Sequence, residues 1–78
     1  MEQNEVLNGG SRVKTILFPR LHFTTLECRK FLKLHGYIPY MRVERSDTDY
    51  IYTINPNKFT HYITRFVENN VKIRYGFF

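Results

Sequence analysis

Seventy-eight residues allow one domain, whose core supplies only about 3–5 kcal/mol unless something reinforces it. Six Tyr and seven Phe provide reinforcement, since each ring buries a large apolar area, whereas a single cysteine excludes an intramolecular disulfide. The formal charge is +5, but Glu2 and Glu5 are the only charges in residues 1–11, so residues 12–78 hold twelve basic against five acidic groups, a net of +7. Such an excess either serves solubility or attracts an anionic partner at range.

Residues 1–11 are polar, end in Gly9-Gly10-Ser11 and show no periodicity. They read as a disordered arm preceding a single α+β domain over 12–78. They lack the basic-then-apolar pattern of a secretory leader. No apolar run approaches the roughly 20 residues that span a bilayer, so no membrane partner is expected. The chain has no alanine, which nucleotide bias in an AT-rich genome explains better than a folding requirement.

From Arg12, the residues Val13, Thr15 and Leu17 alternate with Arg12, Lys14 and Ile16, which predicts a strand ending at Pro19. Thr24-Thr25-Leu26-Glu27 is a capping box that opens a helix over 24–35, with Phe23 placed to staple onto Cys28. Gly36 supplies a left-handed residue that closes the helix, and Tyr37 folds back on Leu32. On this helix Cys28, Phe31, Leu32 and His35 share an apolar face, and Arg29, Lys30 and Lys33 cluster opposite. Strands over 40–46 and 49–55 flank a turn at Ser46-Asp47-Thr48-Asp49. A second turn lies at Asn55-Pro56-Asn57-Lys58.

Asn69-Asn70 tolerates the positive φ angles of a tight hairpin between 59 and 78. A two-residue loop there pairs Phe66 with Ile73, Thr64 with Tyr75 and Tyr62 with Phe77 on an apolar face. The other face then carries His61, Ile63, Arg65 and Val67 beside Lys72 and Arg74, with Arg65 directly opposite Arg74. Facing like charges destabilise a strand pair by some tenths of a kcal/mol (~0.2–1). Either the long side chains are solvated or an anion sits between them. The expected architecture is one helix packed on a four- or five-stranded, mainly antiparallel sheet in the order β-α-β-β-β-β.

Ile16-Leu17-Phe18-Pro19, Phe23-Thr24 and Cys28-Arg29-Lys30-Phe31-Leu32-Lys33-Leu34-His35-Gly36-Tyr37 carry a resemblance. With Gly76-Phe77 near the end, the pattern resembles a small domain scattered through proteins of tailed phages and large double-stranded DNA viruses of eukaryotes. That domain reads as an apolar strand, F-T, a helix ending W-L-x-x-H-G-[FY], a Tyr- and Arg-rich strand, and a last strand closing on Gly-Phe. Here Phe31 replaces the Trp, and Tyr50-Ile51-Tyr52-Thr53-Ile54 lacks the arginines. The resemblance implies a viral source and no activity. A place inside the host cell (cytoplasm or nucleus) or inside the virion is what the single cysteine and the lack of a leader pattern or bilayer-spanning run lead one to expect.

Catalysis is hard to assemble from these residues. Cys28 falls on the buried helix face, where a thiol is inert core. His35 shares that face and ends the helix, and a metal role with Cys28 needs two more ligands. His22 and His61 are isolated, and Asp47 and Asp49 are turn residues. No enzyme and no cofactor are expected.

Binding is easier to support. Aromatics interleaved with basic residues on a sheet stack bases and hold phosphates, and Tyr50, Tyr52, Arg65, Lys72, Arg74 and Tyr75 offer that mix. The candidate nucleic-acid-binding residues are His61, Arg65, Lys72 and Arg74, with Arg29, Lys30 and Lys33 as a second patch. The expected function is a small, basic, non-enzymatic module contacting nucleic acid phosphates without strong sequence preference. The rival reading is a protein–protein interaction module (minor virion component, adaptor or inhibitor of a host protein), with Phe77 and Phe78 suited to a partner's groove or a homodimer seam.

Overall fold

The computed structural model of the protein describes residues 12–78, so the arm expected over 1–11 lies outside the described residues. The chain forms β1 (Arg12–Pro19), α1 (Thr25–Leu34), β2 (Glu44–Arg45), β3 (Asp49–Thr53), β4 (His61–Phe66) and β5 (Lys72–Phe77). The five strands make one sheet in the spatial order β2-β3-β1-β5-β4, with every neighbouring pair antiparallel. This is the α+β architecture expected from the residue pattern.

Both ends of α1 follow local chemistry. The Glu27 N–H donates to Thr24 Oγ1 (3.2 Å), and the Thr24 N–H donates to Glu27 Oε1 (2.8 Å). At the other end Gly36 sits at φ +77°. The Tyr37 N–H reaches the Leu32 carbonyl (2.8 Å) and the Gly36 N–H reaches the Lys33 carbonyl (3.2 Å), the paired bonds of a Schellman closure.

The core lies between α1 and one face of the sheet. Strand alternation sends Ile16, Phe18, Tyr52 and Ile73 to that face, where they meet Cys28 and Leu32. Phe18 is the hub. Its ring meets those of Phe23, Phe31 and Tyr52 edge to face at 5.2, 5.3 and 5.5 Å.

Two expectations need correction. The strand foreseen over 40–46 pairs only at Glu44–Arg45. The Tyr40 N–H does reach the Thr53 carbonyl (2.7 Å), but the chain bends at residues 40 and 41 and leaves the ladder.

The hairpin register is also shifted by one residue. Asn69 and Asn70 both take positive φ (57° and 64°), and the Val71 N–H donates to the Glu68 carbonyl (3.2 Å), as a tight turn requires. The Val71 carbonyl, however, accepts from Val67 (2.8 Å), so Val67 and Glu68 together oppose Val71. This is a bulge of one extra residue on the β4 side. It makes Phe66 pair with Lys72, Arg65 with Ile73, Thr64 with Arg74 and Ile63 with Tyr75. Arg65 and Arg74 therefore lie on opposite faces and do not confront one another. Every side chain of β4 has exchanged the face expected for it, because the side-chain period is two.

Candidate nucleic-acid interface

The observed register sends Lys72, Arg74 and Gly76 of β5, with Tyr62, Thr64 and Phe66 of β4, to the sheet face turned away from α1. Arg74 lays its guanidinium over the Tyr62 ring, 4.5 Å from the centroid. The Tyr62 hydroxyl accepts from the Phe59 N–H (3.2 Å), so the ring is held from two directions. Phe66 stands directly opposite Lys72 and is 69% exposed. Phe59 closes one end of this face over Gly76 and packs against Tyr62 and Phe78.

Lys72 is not a free cation. Its Nζ lies 3.5 Å from Asp49 Oδ2, and Asp49 is only 6% exposed. The same carboxylate oxygen accepts from Thr48 Oγ1 (2.8 Å). A buried carboxylate needs such a counter-charge, so part of the Lys72 charge is already matched, while Arg74 remains outward. Beyond Lys72 the face continues into a cavity of ≈ 690 Å³, lined among others by Pro19, Arg20, His22, Asp49, Phe66 and Lys72.

The other candidate residues lie elsewhere. His61 and Arg65 are exposed on the α1 side of the sheet, His61 against Phe77 at 5.5 Å between centroids. Arg29, Lys30 and Lys33 are exposed on α1. The seven residues thus fall on three surfaces, and only Lys72 and Arg74 share one with exposed aromatic rings.

Sequence reasoning missed a further constellation at Tyr50. The guanidinium carbons of Arg20 and Arg45 stand 5.6 and 5.7 Å from its ring centroid. Arg45 faces Tyr50 directly across the β2–β3 turn, so the Ser46–Asp49 turn was a sufficient signal for that half. Arg20 arrives only through the β1–β3 pairing, which has no local signature. The Asp49–Lys72 pair was equally hidden, since it spans β3, β1 and β5.

Cys28 is wholly buried, and desolvation pushes its thiol up to about 11, with the Tyr52 hydroxyl pulling the other way. Burial also raises Tyr37, with Tyr75 adding to it, and raises Tyr52, with Cys28 adding to it. Among the described residues no three His, Cys, Asp or Glu side chains gather as metal ligands. No helix there is long and apolar enough to cross a membrane. Comparison with protein-family models, with curated proteins and with solved structures found no match to this chain.

Proposed function

We propose that the protein binds nucleic acid through the sheet face carrying Phe66, Tyr62, Arg74 and Lys72, contacting phosphates without strong sequence preference. The observation that carries the reading is the exposed Phe66 ring beside Lys72 and the Tyr62-supported Arg74 on one open face. An exposed ring stacks any base, and a fixed guanidinium holds a phosphate. The net +7 of residues 12–78 supplies long-range attraction, to which His61, Arg65, Arg29, Lys30 and Lys33 contribute from the other surfaces. The resemblance to a domain of phage and large DNA-virus proteins suggests a viral setting, in the virion or the host cell.

Fluorescence anisotropy with single- and double-stranded DNA and RNA at ~50 and ~200 mM salt tests this. Arg74→Ala is expected to weaken binding equally across sequences and to lower the salt slope by about 0.7–0.9 of a unit. Phe66→Ala is expected to lose about 1–3 kcal/mol on single strands with little change in slope. Absence of binding at the lower salt overturns the proposal, as does binding indifferent to both substitutions.

A protein-interaction role is the second reading, supported by a different surface. Ile38 is 81% exposed and lines a groove with Leu32, Lys33, Gly36, Tyr37 and Pro39. Phe78, expected to be a docking residue, is exposed but rests on Phe59. Apolar docking is insensitive to salt, so a salt series separates the two readings.

A further inference from the structure

The two edges of the sheet are built differently. The β2 edge is two residues long, and both are charged, Glu44 and Arg45. The β4 edge runs six residues, HYITRF, exposed at every position except the half-buried Ile63. Natural sheets blunt an edge with brevity, charge, proline or a bulge. Within β4 only Arg65 serves that end, its side chain leaving on the α1 side, and the bulge at Val67-Glu68 stands just past the end of the strand, after Phe66. Among the described residues no element lies outside this strand.

The Val67–Val71 bond sets the alternation of the β4 main chain. Val67, Arg65 and Ile63 turn their N–H and C=O groups toward β5, so Tyr62, Thr64 and Phe66 turn theirs outward. We propose that a second copy of this chain pairs with this edge, antiparallel, about a twofold axis at Thr64, and extends the sheet across both copies.

The register follows from the side chains. A twofold axis normal to the sheet pairs only residues that face the same way. With Thr64 opposite Thr64 of the second copy, Tyr62 meets Phe66 of the second copy twice on the open face. Aromatic cross-strand pairs of this kind stabilise a sheet. On the other face Ile63 meets Arg65 twice, and no like charges confront each other. The three outward residues of each copy then form about six main-chain hydrogen bonds. A slip of two residues one way sets Arg65 against Arg65, and the other way sets it against His61. Either slip also loses one hydrogen-bonded pair. The edge is self-complementary in one register.

Sedimentation velocity on the full chain, without nucleic acid, over about 1 µM to 1 mM is expected to show a concentration-dependent dimer. Thr64→Pro removes an outward N–H that the monomer does not use, a position where an edge strand accepts proline. It is expected to raise the dimer dissociation constant more than about tenfold. Thr64→Cys is expected to form an interchain disulfide on mild oxidation, because paired Cα atoms at the axis lie about 5.5 Å apart. Tyr62→Cys, held opposite Phe66 of the second copy, is expected not to cross-link. The buried Cys28 does not compete. If Thr64→Pro fails to fold by circular dichroism, the two cysteine substitutions decide. A monomer at every concentration, a dimer that a folded Thr64→Pro leaves intact, or cross-linking by Tyr62→Cys in place of Thr64→Cys overturns the proposal.

Discussion

Gly36 and Gly76 both resist substitution, for different reasons. At Gly36 there is no atom within 4 Å of where a Cβ would stand, but φ is +77°. Gly36→Ala is expected to cost about 1 kcal/mol from the backbone alone, and Gly36→Asn less, since Asn tolerates the left-handed region. At Gly76 a Cβ would fall 2.3 Å from Phe59 Cδ1 and 2.9 Å from its Cβ. Gly76→Ala is expected to cost about 1–3 kcal/mol by overpacking, and Gly76→Asn at least as much. Urea melts of the four variants check the contrast. Cys28 makes a pH prediction. Its folded thiol keeps its proton up to about 11, whereas the unfolded thiol loses it near its ordinary value. Unfolding therefore releases a proton in that window, so stability is fully present below it and falls as pH rises through it, by at most about 1.4 kcal/mol per pH unit. Half-buried Tyr37 and buried Tyr52 add in the same sense. Melts at neutral and alkaline pH are expected to show a shallower decline for Cys28→Ala than for the wild type.

Elements whose determinants are local were legible. The capping box, the Gly36 closure and the Asn69-Asn70 turn each involve residues no more than five apart, and each stands where the residue types place it. The register of the final hairpin was not legible, although its turn was. Whether Glu68 pairs with Val71 alone or shares it with Val67 depends on which β4 face the rest of the sheet accepts. The bulge settles this by turning Ile63 toward the α1 side, beside Tyr75, and leaving Phe66 exposed. The register carries its own test. Arg65→Ala and Arg74→Ala are expected to be additive in stability within about 0.3–0.5 kcal/mol, because their side chains leave on opposite faces. The register with the two arginines opposed would give a favourable coupling on removing either one.

At the scale of the molecule, charge is spread over the sheet face, the edge strand and the helix, and one ion pair ties three strands together. Lys72→Ala strands the nearly buried Asp49 carboxylate without its cation. It is therefore expected to lose more stability than Arg74→Ala, whose side chain rests on Tyr62 in the open. Adding Asp49→Asn to Lys72→Ala is expected to recover part of the loss, because an amide is less costly to leave unpaired than a carboxylate. Urea melts of the two single variants and the double variant check this ordering, since urea leaves the ion pair unscreened.

The residues by themselves determined the class of fold, the bounds of α1 to within a residue at each end, the place of Cys28 in the core and the preponderance of positive charge. These follow from capping, periodicity and composition, which act over a few residues or over none in particular. Only the tertiary structure decided which cations share a surface with exposed rings. Lys72 and Arg74 join Tyr62 and Phe66 because one extra residue at Val67-Glu68 turns β4 over. Arg20 reaches Tyr50, and Asp49 reaches Lys72, only because β1 lies between β3 and β5. Strand order and register are set by burying Ile16, Phe18, Tyr52 and Ile73 together under α1, a collective packing condition that no short stretch of the chain encodes.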